Sequence, residues 1–448
     1  MVHAKNIFIN FINIINILDY INDIYKIENF IFIIIFILII TIMIPFDIKN
    51  IIIKYNDYLG DSINLYNLNR EHQDKILITD LQNNLINPIG LLTQKVIEQK
   101  KFRNVIKLNI TNNDKIFNLN HLKKSLKNLS CGGRACVIEE HGICELNLVK
   151  LYLWSNNKIK NINFFKNTLR TLVCNDEDCI LNQSGISELQ LEYINCEQNR
   201  HITNLNFMKN TLKVLKCGGK KTALGQEGIS ELNLIELHTC DNIKIYDLNH
   251  MSNLKKLECT GFSIVNQKGI LGLKLIELDV SRNQNIISVN HMKDTLKKLI
   301  CREWSTLNQE GTSELKLVEL DTSYNQKIIN VNHMKDTLKI LHCSGWCSMH
   351  QEGITQLNLE ELSIENNNHI TNVNHMKNTL KILDAREARI GQEGISELRL
   401  EELNIRNNEH IFDIVFMKDT LRKLDCWGQR CALNKENIKE LNLVELSD

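Results

Sequence analysis

The chain has 448 residues with 53 Lys and Arg against 53 Asp and Glu, and this net charge of zero gives bulk electrostatics no hold on nucleic acid or on an anionic membrane surface. It contains 14 Cys but only two Pro, and Ile, Asn and Lys dominate the remainder. No Gly-rich phosphate loop, HExxH or GxSxG is present, so the familiar phosphate-binding, zinc-peptidase and serine-hydrolase chemistries lack their residues.

Residues 1–42 form a hydrophobic Ile- and Asn-rich segment. Phe30 to Ile44 is a run of 15 residues broken only by Thr41, slightly short of the ~17 to 25 that span a bilayer. Asp19, Asp23 and Glu28 precede it where a signal peptide would carry basic residues. The monotony of Ile, Asn and Phe is how translated AT-rich upstream sequence reads, and Met43 stands directly after it, so translation is expected to begin there. The alternative is a membrane anchor through residues 30–46.

Residues 43–100 are expected to be helical. Pro45 opens a run in which Ile48, Ile51, Ile52, Tyr55 and Leu59 fall on one helix face, and a second short helix is predicted near Ile63 to Leu68. This segment resembles an F-box, which opens Leu-Pro-x-Glu-Ile and continues through an apolar and then a Leu-rich helix. Ile44, Pro45, Asp47 and Ile48 match that opening in kind, with Ile for the first Leu, Asp for Glu and no closing Trp. The resemblance implies docking on a Skp1-like adaptor through Ile44, Pro45, Asp47, Ile48, Ile51 and Leu59. Its plainer reading is a helical cap on the first repeat.

From about residue 105 the chain repeats every 41 to 43 residues, and each period carries two leucine frames. One reads LxLxxLxxxxN, as in Leu273, Leu275, Leu278 and Asn283, or Leu357, Leu359, Leu362 and Asn367. The other reads LxxLxC, as in Leu296, Leu299 and Cys301, or Leu338, Leu341 and Cys343. Each half-period has the length of a leucine-rich repeat, and the frames resemble the LxxLxLxxN signature of that family. The resemblance implies an α/β solenoid, a horseshoe of about 17 coils over residues 101–448 with parallel β-strands on the concave face. Strand alternation then turns Leu278 and Val280 inward and Glu277 and Asp279 outward. An Asn ladder is expected from Asn113 through Asn156, Asn199, Asn242, Asn283, Asn325, Asn367 and Asn408, satisfying turn backbone that would otherwise be buried unpaired. Short helical or 3₁₀ turns are predicted at QEGISEL (Gln226 to Leu232) and at the NHMK segments. The last coil, Leu441, Leu443 and Leu446, has neither Asn nor polar cap, so a partner or flanking Glu440 and Glu445 is expected to protect it.

Half of the cysteines fall in one inward column, Cys131, Cys174, Cys217, Cys259, Cys301, Cys343 and Cys426, with Ala385 in the eighth place. A free Cys behaves there as a small hydrophobe. Equivalent positions lie two coils, on the order of 10 Å, apart, too far for a disulfide or a shared zinc ion. A second set, Cys136, Cys179, Cys347 and Cys431, follows four or five residues later. The same distance argues against a metal at the column His121, His250, His291, His333 and His375, whose members are expected to be exposed or capping residues.

Outward strand positions carry Glu236, Glu277, Glu319, Glu361, Glu402 and Glu445 in one half of each period, and Lys256, Lys298 and Lys423 in the other, with Ile340 and Ile382 as exceptions. Glu277 should therefore sit between Lys256 and Lys298. Trp154, Trp304, Trp346 and Trp427, with Arg302, Arg386 and Arg406, break the regularity near strand ends and are the candidate substrate-binding side chains, because aromatic and Arg residues dominate interface hot spots. Catalytic, cofactor-binding and metal-ligating residues are not expected.

An F-box ahead of leucine-rich repeats, with this AT-rich composition, is similar to F-box/leucine-rich-repeat proteins of large DNA viruses of amoebae or of protists. That resemblance implies a non-catalytic substrate adaptor of a cullin-type ubiquitin ligase, in the cytoplasm or the host cytoplasm, with protein partners and no nucleic acid. The alternatives are a scaffold solenoid with no ubiquitin link, and a membrane-anchored repeat protein with disulfides between near neighbours such as Cys131 and Cys136.

Overall fold

The computed structural model describes residues 78–81, 92–433 and 435–447. The hydrophobic segment, most of the helical region and the F-box-like residues Ile44, Pro45, Asp47, Ile48, Ile51 and Leu59 lie outside the described residues.

Among the described residues eighteen strands form one all-parallel sheet, from β1 (Asp80–Leu81) through β2 (Lys107–Asn109) to β18 (Glu445–Ser447), and each strand pairs with the next in sequence. Seventeen of them fall within 101–448, as the repeat frames imply. The additional strand β1 lies ahead of residue 101, inside the span expected to be helical, and Asp80 and Leu81 align with Lys107 and Leu108 of β2. Between them run two short helical turns, Gln94–Ile97 and Lys100–Phe102, with Ile97 and Phe102 fully buried. The first coil is thus part of the solenoid.

Each strand is three residues long beyond β1, with a buried Leu or Ile at its centre in β2 to β17 and more exposed neighbours on either side, as Leu278 shows between Glu277 and Asp279 in β10 (Glu277–Asp279). Strands this short gain stability only from stacking, and the backbone supplies it. The N–H groups of Lys297 and Lys298 both donate to the Ile276 carbonyl of the preceding coil, at 2.9 and 3.1 Å. Opposite the sheet, QEGI forms a 3₁₀ turn at Gln226–Ile229 and the NHM segments form 3₁₀ turns at Asn290–Met292 and Asn332–Met334. The core between the two faces is continuous from Ile78 to Cys426.

The Asn ladder exists, but in every second coil. Asn156 donates to the Cys131 carbonyl at 2.7 Å, Asn242 to that of Cys217 at 2.8 Å and Asn283 to that of Cys259 at 2.9 Å. The intervening coils fill the corresponding turn with a small buried residue, such as Cys136, Cys179, Thr222, Ser263, Ser305 or Cys347. The second cysteine set is therefore the counterpart of Asn in the alternate coil. The first set is fully buried as expected, with Cys426 slightly exposed and Ala385 in its place in the series. All fourteen cysteines are free thiols.

The histidine column caps the turns. His291 Nε2 lies 3.0 Å from the Ile270 carbonyl, His333 3.1 Å from that of Thr312 and His375 3.1 Å from that of Ile354.

Candidate recognition surface

The outward strand residues meet in the expected register: Glu277 aligns with Lys256 in β9 (Lys256–Glu258) and with Lys298 in β11 (Lys298–Ile300). Ion pairs follow, Lys256 to Glu277 at 3.7 Å, Lys298 to Glu319 at 2.7 Å and Lys423 to Glu402 at 2.9 Å. Exposed pairs of this kind contribute ~0 to 1 kcal/mol each, so they set register and surface charge more than stability.

Two histidine knots interrupt this face. His238, the last residue of β8 (Glu236–His238), is buried with Nε2 2.5 Å from Glu236 and Nδ1 2.6 Å from Glu258. Burial opposes its charge, yet the hydrogen bonds to Glu258 and Glu236 prevail and raise its pKa. The hydrogen bond from His238 in turn holds Glu258 down at about 2. Cys240 donates to the same Glu258 at 3.1 Å and burial pushes its thiol up to about 12, the opposite of an activated nucleophile. The second knot joins His342 of β13 (Ile340–His342) to Asp321 at 3.5 Å and Glu361 at 3.2 Å. Burial of Asp321 is outweighed by hydrogen bonds from His342 and Arg302, which keep its pKa at about 2.

The arginines singled out from sequence sit in this network. Arg302 binds Asp321 at 2.5 Å, and Arg386 binds Asp384 at 2.8 Å and Glu365 at 3.0 Å. Arg406 lies over the Trp427 ring, 4.5 Å from its centroid.

The tryptophans stand in the loops that follow the strands. Trp154 packs over Gly132, whose absent Cβ would come 2.9 Å from the indole Cδ1, and it is 38% exposed. Trp304 and Trp346 are 75% and 77% exposed. With Tyr324 from the coil between them they line one hollow of 540 Å³. Sequence reasoning brought no attention to Tyr324 or to Phe262. The available signal was spacing, since Phe262, Trp304 and Trp346 follow one another at intervals of 42 residues.

Also unforeseen were the staples on the far side of the coils. Gln309 donates to the Asn330 carbonyl at 2.8 Å and accepts from the N–H groups of Ile329 and Asn330, while Asn332 donates to the Glu352 carbonyl at 2.7 Å. These side chains bridge successive coils, which is why QEG and NHM recur.

Among the described residues no group of three or more His, Cys, Asp and Glu is arranged to hold a metal ion, and no helix is long and apolar enough to cross a membrane.

No family model matches the chain, and no curated protein is similar to it at a significant level. Among solved structures the chain is similar to TLR13 in a complex with ssRNA13, at 18% identity and a TM-score of 0.47, covering 82% of this chain and 54% of that one. The chain therefore spans about half of that relative's length. It is also similar to the functional domain of InlJ from Listeria monocytogenes, which includes a cysteine ladder, at 18% identity and a TM-score of 0.38 over 68% of this chain and 74% of that one. A third is a leucine-rich-repeat protein of Leptospira interrogans, at 20% identity and a TM-score of 0.37 over 80% and 82% of the two chains. Likeness of this degree carries no weight beyond itself; the fold, a solenoid of stacked leucine-frame coils, rests on the strand pairing and the continuous core.

Proposed function

We propose that this chain is a non-catalytic protein-recognition solenoid, acting as an adaptor in which the F-box-like segment docks a Skp1-type subunit of a cullin ubiquitin ligase and the repeats present the substrate. One observation carries the recognition part. The inward positions repeat with little change from coil to coil, whereas the outward and loop positions vary from ion pairs to histidine knots to exposed Trp304 and Trp346. Packing explains the constancy of the first set, and exposed variable side chains on a rigid scaffold are where binding specificity resides.

The ligase part rests on Ile44, Pro45, Asp47, Ile48, Ile51 and Leu59 standing ahead of the repeats in F-box order. Its test is retention of a Skp1-type protein by the full chain against a Pro45→Ala/Ile48→Ala variant. Retention lost in the variant supports the adaptor. No retention by a folded full chain removes the ligase link and leaves a scaffold solenoid.

A further inference from the structure

We infer that the lip formed by Trp304, Tyr324 and Trp346, with the acidic strand surface beside it, binds a lysine- or arginine-rich segment of a protein partner; this rests on the recognition reading and specifies its partner.

The lip is a constructed feature. Trp304 and Trp346 lie in loops two coils apart, and Tyr324 comes from the coil between them, at a backbone φ of 60°. Its ring occupies the space over Gly345, where a Cβ would come 2.3 Å from Tyr324 Cε1. Gly345 itself has a φ of 68°, so both the turn and the close approach call for glycine. Three aromatic side chains thus converge on one hollow, and two of them are among the most exposed large hydrophobics of the chain.

The kind of occupant follows from charge. Related loop aromatics elsewhere in this chain already carry a cation: Lys220 Nζ sits 3.7 Å from the Phe262 centroid and Arg406 4.5 Å from that of Trp427. Among the described residues neither Trp304 nor Trp346 has such a partner. The cation in the hollow, Arg282, is paired with Glu303. The vacant aromatic faces therefore suit a cation supplied from outside.

The adjoining hollow, of 690 Å³, runs over β12 (Glu319–Asp321) to β18 and shares Tyr324 and Glu303 with the lip. Its lining has eight carboxylates against Arg302, Arg386 and Lys423, so the surface stays net acidic even with His342 protonated between Asp321 and Glu361. Those three cations are already bound to Asp321, Asp384 and Glu402, and Asp425 and Glu445 are in no ion pair among the described residues. Such a field repels phosphate backbones and attracts Lys and Arg. From Asp321 to Asp425 in β17 (Lys423–Asp425) is five strand spacings, about 24 Å, the reach of about seven extended residues. The chain as a whole is neutral, so the acidity is a property of this surface and not of composition.

The test is fluorescence anisotropy of a labelled decapeptide of alternating arginine and serine, titrated with the full chain. Saturable binding that weakens with added salt is expected. Trp304→Ala/Trp346→Ala should weaken it about tenfold, and Asp425→Asn/Glu445→Gln about threefold. Phe117→Ala, which removes an exposed aromatic far from the lip, should leave it unchanged. All replaced side chains are solvent-exposed or half-exposed, and an unchanged thermal midpoint establishes that each variant folds. Absence of saturable binding, or equal affinity in the double tryptophan variant, overturns the proposal. Failure of the peptide with the Skp1-type protein still retained overturns this assignment alone, whereas the reverse outcome removes the ligase link and keeps the basic-segment site.

Discussion

The side-chain nitrogen of Asn325 donates to the carbonyl oxygen of Cys301, 2.9 Å away in the preceding coil, while its Oδ1 accepts from the Lys327 N–H at 2.8 Å. One fully buried side chain thereby ties two coils and closes its own turn. Replacing Asn325 by Ala leaves the buried Cys301 carbonyl without this donor and loosens the turn at Lys327, so a loss of about 1 to 3 kcal/mol is expected in urea unfolding. Ser305→Ala, in the alternate coil, should cost about 1 kcal/mol or less, because Ala388 already fills the equivalent turn. Similar losses for the two variants would show that the alternating ladder is not the tie between coils.

Thiol reactivity should divide the fourteen cysteines by place in the coil. Eleven are buried, and burial raises the pKa of column members such as Cys131, Cys174 and Cys217 well above the usual thiol value. Cys144 is exposed, and a hydrogen bond from Cys426 lowers half-exposed Cys431 to about 6. Titration of the native chain with a chromogenic disulfide should show two fast thiols, one removed by Cys144→Ser and one by Cys431→Ser, with the buried column reacting only in denaturant. Rapid reaction of the buried column in the native state would contradict its packing.

The knot at His238 makes stability depend on pH in a defined direction. His238 has a folded pKa above 6.5, so its contribution is complete below 6.5 and is lost as pH rises through the folded value. Glu258, lowered from 4.5 to about 2, contributes above 4.5 and loses that contribution as pH falls towards 2. The pair is therefore at full strength between 4.5 and 6.5. The difference in thermal midpoint between the natural chain and His238→Gln should be greatest near the middle of that window and shrink towards alkaline pH. A difference that grows as pH rises would reverse the assigned charge states.

The fold was legible because one physical constraint repeats. From β2 to β17 every coil buries a Leu or Ile at its strand centre, so Leu278 and Val280, the Cys301 column and the alignment of Glu277 with Lys256 and Lys298 could all be read from spacing. Strand β1 was not legible, because a two-residue strand at Asp80–Leu81 carries no second frame against which to register. The knot escaped notice for a different reason. His238 stands at an outward position that other coils fill with residues as different as Asp279, Ile300 and Ser363, and only the stacked register brings Glu258 to its other nitrogen. The aromatic lip combines residues from both frames of the repeat, so one column taken alone holds Trp304 and Trp346 without Tyr324, and the other holds Tyr324 without the tryptophans.

That coupling between frames can be tested at Gly345. Alanine there meets two penalties: a left-handed backbone at φ 68°, and a Cβ directed 2.3 Å from Tyr324 Cε1. The first costs about 1 to 2 kcal/mol for any residue with a Cβ. The second exists only while the Tyr324 ring is present. Gly345→Ala should therefore destabilise the natural chain by more than it destabilises a Tyr324→Ala background, where the backbone penalty alone remains. A double-mutant cycle in urea measures the difference, and equal costs in the two backgrounds would mean that the ring does not rest on this turn. If the coupling holds, Gly345→Ala should also weaken peptide binding by displacing Tyr324 from between Trp304 and Trp346, although Gly345 itself offers the ligand no side chain.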